Sequence, residues 1–307
     1  MKKNSSELFQ KQFGLSHSSL KGIIRIAGIA VIFTLLIFPQ TNAQNLDVPY
    51  VSTPHSVVEK MLEVAEVGDG DYVIDLGSGD GRIIIAAARQ GAFGHGVDLD
   101  PDRIREARSN AQRSNVSDKV MFVREDIFKT DFSKANVVTM YLLSSVNLKL
   151  RPRLLDELEP GTRVVSHDFN MVDWKPDKHL TVDNSKLNLG NWEIDNPIAM
   201  DNHDIYYWII PAKVDGQWEW ETNGKNFRMN VSQKFQEIYS QIEIGEVTMR
   251  TEHNLLKGPR ISISVVNPSN NNRYVYNGRV EGNKITGTVQ IRTDNYKTVE
   301  NWTAKRK

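Results

Sequence analysis

Residues 72–82 read YVIDLGSGDGR, a mostly apolar run that leads directly into a glycine-rich turn. The apolar run predicts a buried strand, and residues 82–89 (RIIIAAAR) predict a helix that begins where the turn ends. Gly77, Gly79 and Gly81 alternate through the turn, where glycine lets the backbone approach a ligand closely. The N-terminus of the following helix favours an anionic group. The segment therefore predicts a strand–loop–helix unit with a ligand bound at the loop.

The alternation of strands and helices continues on both sides of this unit. Thr53 and Pro54 predict the start of an earlier helix, with Thr53 as its N-cap and Pro54 at its first position. Further strands are predicted at 93–97, 120–123, 137–142 and 163–167, and further helices at 101–114 and 146–158. Such alternation predicts an α/β fold, doubly wound around a mostly parallel sheet.

Carboxylates follow the predicted strands at the edge where ligands of such sheets bind. Asp98 ends the second strand, 23 residues after Asp75, where a carboxylate can accept both hydroxyls of a ribose. Asp126 follows the third strand in the same way. A dinucleotide fingerprint needs a third glycine where this chain has Arg82. The pattern therefore indicates an adenosine-containing cofactor other than a dinucleotide.

The run Asp75-x-Gly77-x-Gly79-x-Gly81 resembles motif I of class I S-adenosylmethionine (SAM)-dependent methyltransferases. Four more segments extend the likeness to the bacterial relatives of the mitochondrial lysine methyltransferases that act on the adenine nucleotide translocase and the ATP synthase c-subunit. They are 49–54 (PYVSTP), 98–101 (DLDP), 141–152 (YLLSSVNLKLRP) and 166–169 (SHDF). The resemblance covers about residues 48–212. It implies a seven-stranded Rossmann-like methyltransferase sheet, SAM as cofactor and a protein lysine as methyl acceptor.

The resemblance also implies a role for each matching residue on the cofactor side. The methionine part of SAM would be lined by Asp75, Gly77, Gly79 and Gly81, the ribose would be bound by Asp98, and the adenine would be framed by Asp126 and Ile127. Tyr50 and Thr53, just before the first helix, would close over the cofactor, although a cap role alone also explains Thr53.

Candidates for the acceptor side follow the fourth and fifth strands. Methyl transfer to lysine is an in-line displacement that needs an aligned amine and the loss of a proton. Tyr141 and Asp168 are the expected substrate-positioning residues, with Asn147 as a further catalytic candidate and His167 as a structural residue. Two alternatives stay open, since Tyr141 could pack under the next helix and Asp168 could cap a turn.

Composition excludes several classes of function. The chain has no cysteine, which excludes disulfides, Cys-ligated zinc, iron–sulfur clusters and a thiol nucleophile. Six histidines show no metal-ligand spacing, so no metal is predicted: His55, His95, His167, His179, His203 and His253.

The motif of amino-methylating DNA enzymes is absent at 140–144, and residues 44–213 carry a net charge of −8. No nucleic-acid partner is therefore expected.

Residues 26–38 (IAGIAVIFTLLIF) are uncharged and follow a basic segment. With Thr41-Asn42-Ala43 behind them, they predict a secretory signal peptide that is cleaved after Ala43. The alternative is an uncleaved membrane anchor over 22–38, with Arg25 at the interface. Either reading predicts that the rest of the chain lies outside the cytoplasm, as a periplasmic, secreted or membrane-anchored protein.

The chain therefore divides into the signal or anchor (1–43), a methyltransferase domain (44–213) and a C-terminal β domain (214–307). About eight short strands predict that the last is a small antiparallel barrel or sandwich, faintly similar to a lipocalin at 216–220 and 302–304. Trp218, Trp220 and Trp302 are expected in its core. Asn277-Gly278 predicts a hairpin turn. Besides a protein-lysine methyltransferase, two functions stay open: a small-molecule methyltransferase, and a non-catalytic extracytoplasmic protein that reuses the cofactor pocket.

Overall fold

A computed structural model of the chain describes residues 51–183 and 202–307. The predicted signal or anchor segment and Tyr50 lie outside the described residues, so they stay predictions. Within the described residues, no helix combines the length and the apolar character that crossing a membrane requires.

The first half of the described chain alternates helices and strands, as predicted. Its helices are α1 (His55–Val64), α2 (Arg82–Arg89), α3 (Pro101–Arg113) and α4 (Ser144–Glu157). Its strands are β1 (Tyr72–Leu76), β2 (Phe93–Asp98), β3 (Val120–Arg124), β4 (Val137–Met140), β5 (Arg163–His167), β6 (Lys178–Asp183) and β7 (Asn202–Ile209). The sequence pattern did not predict β6, which has only two apolar residues, Leu180 and Val182, and no fully buried one.

These strands form one seven-stranded sheet in the order β3-β2-β1-β4-β5-β7-β6. The first five strands in this order run parallel, and β7 pairs antiparallel with both β5 and β6. The predicted seven-stranded, mostly parallel sheet is confirmed. From β1 the chain adds β2 and β3 on one side, and then crosses over to add β4 and β5 on the other side. The strand order therefore reverses between β1 and β4, which is where a doubly wound sheet opens a crevice for a ligand.

Both faces of this sheet are buried under helices. Apolar residues of α1, α2 and α3 form one core cluster, which includes Val73 of β1. Residues of α4 form the other cluster, which includes Ile74 and Leu76 of the same strand. Successive side chains of a strand point to opposite faces, so β1 contributes to both cores. Each such side chain stabilises the fold by about 1.5–3 kcal/mol, and together they fix the strand end at which the glycine turn begins.

The second half is a nine-stranded antiparallel sheet, hereafter the β module. Its strands are β8 (Gly216–Thr222), β9 (Lys225–Lys234), β10 (Glu237–Ile244), β11 (Val247–Thr248), β12 (Arg250–Lys257), β13 (Arg260–Val266), β14 (Arg273–Glu281), β15 (Lys284–Arg292) and β16 (Lys297–Arg306). The order β11-β10-β9-β8-β16-β15-β14-β13-β12 brings the two ends of the sheet together. There the Thr251 hydroxyl donates to the Ser240 carbonyl (2.9 Å), so the sheet is a nearly closed barrel.

The interior of the β module is filled by aromatic side chains. Trp218, Trp220 and Trp302 are buried, as the sequence predicted. The Trp220 ring packs 5.3 Å from Trp302 and 5.2 Å from Tyr276, in edge-on contacts that favour aromatic pairs. The barrel therefore has a packed core.

The hairpin predicted at Asn277-Gly278 is wrong. Both residues lie inside β14, and Gly278 pairs with Ile261 on one side and Gly287 on the other. A Cβ atom on Gly278 would lie 2.7 Å from the Ile285 methyl. Glycine is therefore required here by close packing across the sheet rather than by a turn.

Candidate active site

The glycine turn after β1 adopts a backbone conformation that favours glycine. Gly77, Gly79 and Gly81 all have positive φ, of 81°, 51° and 81°. The amides of Gly77 and Ser78 both donate to the Val97 carbonyl at 2.9 Å, which holds the turn against β2. The Ser78 hydroxyl is buried and has no hydrogen-bond partner among the described residues. The turn thus presents a rigid backbone and one unsatisfied hydroxyl.

Asp98 ends β2 beside this turn and is half-buried. Its Oδ2 accepts the Gly79 amide at 2.9 Å, and its Oδ1 accepts the Asp100 amide at 2.9 Å. A carboxylate offers about four lone-pair sites, so each oxygen can still accept one more hydrogen bond. The structure therefore places a carboxylate at the position predicted for ribose binding, and this carboxylate can accept two further hydrogen bonds.

Asp75 lies beneath the turn, with only 2% of its surface exposed. Its Oδ1 accepts the Thr139 hydroxyl at 2.8 Å, which joins β1 to β4. Burial raises the pKa of Asp75 to about 7, against the opposing effect of the Thr139 hydrogen bond. Asp75 therefore lies beneath the turn. Of the three glycines above it, Gly77 is exposed, whereas Gly79 and Gly81 are buried.

The residues predicted to frame an adenine follow β3 and are half-buried. The Asp126 Oδ1 accepts the Phe128 amide at 2.9 Å, and Lys129 lies 3.8 Å from the other oxygen. Ile127 packs at the margin of the core cluster that contains α4. The structure thus places both at the same edge of the sheet as the other strand ends.

Thr53 does not cap α1, because the helix begins at His55 and has no side-chain cap. Its hydroxyl instead lies 3.1 Å from Nδ1 of His167 at the end of β5. Its carbonyl accepts a hydrogen bond from the Arg82 guanidinium at 2.7 Å. Arg82 in turn forms a bidentate pair with Asp80 of the glycine turn. In the sequence, Arg82 stood out only because it replaces the third glycine of a dinucleotide fingerprint. In the structure it links the glycine turn to Thr53.

Tyr141 and Asp168 lie together, as predicted from their positions after β4 and β5. The Tyr141 hydroxyl donates to Asp168 Oδ2 at 3.4 Å. Burial, reinforced by the Asp168 charge, raises the pKa of Tyr141 to about 12, so the phenol stays protonated at neutral pH. Asp168 has a positive φ of 56°, and its Oδ1 accepts the Asp204 amide at 2.9 Å. The pair presents a fixed carboxylate that is still partly accessible.

Two buried histidines complete the acceptor side. His167 Nε2 lies 2.9 Å from Nδ1 of His203 and 3.2 Å from Oδ2 of Asp168, and His203 Nδ1 lies 3.3 Å from the same oxygen. The pKa of His167 is lowered to about 4, mainly by burial and to a smaller extent by His203, against the opposing effect of the Asp168 charge. His167 is therefore neutral at pH 7, in keeping with its predicted structural role.

These three side chains are also the group in the described residues whose donor atoms could hold a metal ion, within 4.8 Å of one another. Sequence spacing did not reveal it, because His203 lies on β7, 36 residues beyond His167. The distances among the three side chains are also those of direct hydrogen bonds, so they do not by themselves indicate a metal ion. The prediction that the protein binds no metal stays a prediction.

Asn147, on α4, is fully buried. Its Nδ2 donates to the Ser166 hydroxyl at 3.2 Å and to the Phe169 carbonyl at 3.0 Å. Asn147 therefore acts on the acceptor side through the backbone that flanks Asp168, not by facing it directly.

A cleft of about 500 Å³ lies elsewhere, between the end of α4 and the β module. Its lining includes Leu158 and Pro160, which precede the first residue of β5. It therefore opens at the opposite edge of the sheet from Asp98 and Asp168, which lie at strand ends.

The sequence is similar to known methyltransferases. A family model described as the ANTKMT methyltransferase domain matches residues 75–178. A protein-lysine N-methyltransferase of Saccharolobus islandicus (strain REY15A) is 47% identical over 165 residues, which are 53% of this chain and 94% of that protein. The chain belongs to the ANTKMT methyltransferase family. The enzyme is thus a SAM-dependent methyltransferase, as its motifs predicted.

Two further similarities were found for the enzyme. The adenine nucleotide translocase lysine N-methyltransferase of Mus musculus is 35% identical, over 56% of this chain and 76% of that protein. A crystal structure described as an RNA methyltransferase from Salinibacter ruber, in complex with S-adenosyl-L-homocysteine, is 46% identical. It covers 53% of this chain and 96% of that chain, with a TM-score of 0.46.

The residues of the glycine turn fit SAM. A sulfonium cofactor with a ribose needs close backbone approach and an acceptor for two hydroxyls. The exposed backbone of Gly77, at positive φ, supplies the first, and the spare lone pairs of Asp98 supply the second. The unpartnered Ser78 hydroxyl offers a further donor within the turn.

Proposed function

We propose that this methyltransferase transfers a methyl group from SAM to the side-chain amine of a protein lysine. The observation that carries the proposal is the fixed, partly accessible carboxylate of Asp168 beside the Tyr141 hydroxyl. An anionic acceptor at the strand ends, where ligands of such sheets bind, suits an amine better than a hydroxyl or a carboxylate.

Two further observations support a protein acceptor. The Saccharolobus islandicus and Mus musculus relatives are both named lysine N-methyltransferases. The net charge of −8 over residues 44–213 attracts a basic segment of chain.

Asp168 orients the amine in this proposal. A lysine ammonium, with a reference pKa of about 10.4, must lose a proton before it can attack. A carboxylate is a far weaker base than an amine, so the proton leaves to water and Asp168 accepts an N–H bond from the neutral amine. Bound SAM would supply an electrophilic methyl group in line with the amine lone pair, and its sulfur would leave with the C–S bonding electrons as S-adenosylhomocysteine.

Tyr141 holds Asp168 in position and does not act as a base, because its raised pKa keeps the phenol protonated. The ring of Tyr141 packs 3.9 Å from the ring of His167 and covers it. This contact places an aromatic ring beside the carboxylate that orients the amine.

The test is methyl transfer from labelled SAM to the proteins of a host strain that lacks the gene. Label is expected on lysine side chains, identified by mass spectrometry of digested protein, and an Asp168→Ala variant should lose it. Label found only on RNA or on small molecules would overturn the lysine assignment. Failure to bind S-adenosylhomocysteine (SAH) in the micromolar range would argue for a non-catalytic protein.

We also propose that the enzyme acts outside the cytoplasm, delivered by the apolar segment at residues 26–38. The alternative within this proposal is retention at the membrane by an uncleaved anchor over residues 22–38. N-terminal sequencing of the protein from its native host distinguishes the two, since cleavage after Ala43 makes Gln44 the first residue. A protein that begins at Met1 in the soluble cytoplasmic fraction would contradict both.

A further inference from the structure

The loop that follows β5 carries Asp168 and runs on through Lys175. We name residues 168–175 the acceptor loop and residues 233–237, at the junction of β9 and β10, the β-module turn. Although the two segments are some 60 residues apart in sequence, side chains of the turn lie directly on the loop.

Gln236 fastens the turn to the end of the acceptor loop. Its Oε1 accepts the Trp174 indole N–H at 2.8 Å, and its Nε2 donates to the Lys175 carbonyl at 2.7 Å. Trp174 is fully buried, and an indole N–H in that position needs a partner. Gln236 thus satisfies a donor that belongs to the methyltransferase core.

Phe235 adds an apolar contact to this attachment. Its ring stacks on Trp174 with centroids 5.7 Å apart, and the Arg151 guanidinium of α4 lies 5.1 Å from the same ring. Phe235 packs against the core cluster that contains α4, so a β-module side chain forms part of the methyltransferase core. Ion pairs of Lys175 with Glu237 and of Lys234 with Asp173 are solvent-exposed and add little.

The turn itself is held rigidly. Gln233 Nε2 donates to the carbonyls of Phe235 (2.7 Å) and Ala212 (2.9 Å), and its Oε1 accepts the Val214 amide at 2.7 Å. Phe235 has a positive φ of 56°, a conformation that bulky residues adopt only when neighbours impose it. The turn is therefore held in one position by contacts that do not involve the acceptor loop.

The acceptor loop has other attachments at its start and middle. The Asp168 amide donates to the Asp204 carbonyl at 2.7 Å, and the Phe169 carbonyl accepts bonds from Asn147 and Ser166. Arg151 donates to the Met171 carbonyl at 3.0 Å. Between these points the exposed Val172 side chain stands out into solvent. The far end, at Trp174 and Lys175, is where the β module attaches.

We infer that the β-module turn positions the acceptor loop, so that Phe235 and Gln236 are positioning residues for methyl transfer to the acceptor. This inference rests on the proposed function, because it assigns the loop to the acceptor side. The Saccharolobus islandicus relative matches over 94% of its length within 53% of this chain, so it cannot contain both halves. In this enzyme the β module supplies support that a methyltransferase without it must obtain elsewhere.

The test compares variants of the full-length enzyme. Phe235→Ala and Gln236→Ala remove the stacking and the amide contacts, and Phe235→Tyr keeps the ring. Tyr239→Ala and Gln241→Ala are matched controls, because they remove an exposed aromatic residue and an exposed glutamine from the same hairpin. Hydrogen exchange of the 168–175 amides reports loop order without any acceptor. Kinetics with poly-L-lysine as the acceptor and calorimetry with SAH separate acceptor binding from cofactor binding.

Both alanine variants should speed amide exchange in the acceptor loop by about tenfold and raise the KM for poly-L-lysine several-fold. The Kd for SAH should stay within about twofold of wild type, and Phe235→Tyr should restore the wild-type KM. Unchanged loop exchange in the Phe235→Ala/Gln236→Ala double variant would overturn the inference. So would a rise in the SAH Kd that matches the rise in KM, since general destabilisation affects both. If wild type labels lysine neither in poly-L-lysine nor in the host proteins, the proposed function fails, while loop exchange still decides whether the turn orders the loop.

Discussion

Replacing Asp98 with asparagine isolates the role of one carboxylate in cofactor binding. The side chain keeps its size but exchanges one oxygen for an NH₂ group that cannot accept a hydrogen bond. Both oxygens of Asp98 already accept a backbone amide, from Gly79 and Asp100. In Asp98→Asn, one of these amides and one ribose hydroxyl therefore lose their acceptor.

The size of the effect follows from this count. A hydrogen bond to a charged group contributes about 1.5–3 kcal/mol. Losing one from the cofactor complex should raise the Kd for SAH by roughly 10- to 150-fold. The loss of the bond to Gly79 acts in the same direction, because it releases the glycine turn from β2.

Calorimetric titration with SAH measures this change directly. Asp102→Asn is the matched control, since it removes the same charge from an exposed carboxylate on α3 that is ion-paired with Arg105. The control should bind SAH as wild type does. An Asp98→Asn enzyme that binds SAH within about threefold of wild type would refute the ribose assignment. An equal loss in both variants would show that net charge, not Asp98 itself, governs affinity.

Three further results are expected. Tyr141→Phe should lower kcat about tenfold while leaving the SAH Kd unchanged, since it removes a bond to the acceptor carboxylate; an equal loss in SAH affinity would contradict this. The raised pKa of Asp75 means that the fold loses stability as pH rises from about 4 to about 7. Asp75→Asn should therefore be more stable than wild type at pH 8, by roughly 2–4 kcal/mol, and gain little at pH 4, as measured by urea unfolding; an equal gain at both pH values would argue against a raised pKa. Gly278→Ala should lower the free energy of unfolding by about 1–3 kcal/mol because its methyl group meets Ile285, and a neutral change would favour the turn that the sequence predicted.

The sequence was most informative where chemistry depends on adjacent residues. The glycine turn at 77–81 follows β1 without a gap, and the strand ends at Asp98 and Asp126 follow from apolar runs of a few residues. Local spacing and the parallel-sheet rule therefore suffice to bring these residues to one edge. The same rule predicts that Tyr141 and Asp168 lie together, because they follow neighbouring parallel strands.

Predictions from adjacent residues were wrong where a residue instead contacts a segment that is distant in sequence. Thr53 has a good capping side chain, but its hydroxyl lies against His167, 114 residues further along the chain. Gly278 follows an asparagine, which is typical of a hairpin, but the strands on both sides extend through it. In each case contacts with a distant segment outweighed a local preference, which for a helix cap is about 1 kcal/mol.

By itself the sequence determined the order of strands and helices from α1 to β5, the SAM-type glycine turn and the carboxylates at the strand ends. It did so because periodicity and adjacent motifs are local properties that survive without tertiary contacts. Only the tertiary structure decided that His203 joins His167 and Asp168, that Arg82 ties the glycine turn to Thr53, and that Gln236 holds Trp174. These pairs join residues 29 to 62 positions apart, and the free energy that selects such contacts comes from packing the whole chain, which no short window of sequence contains.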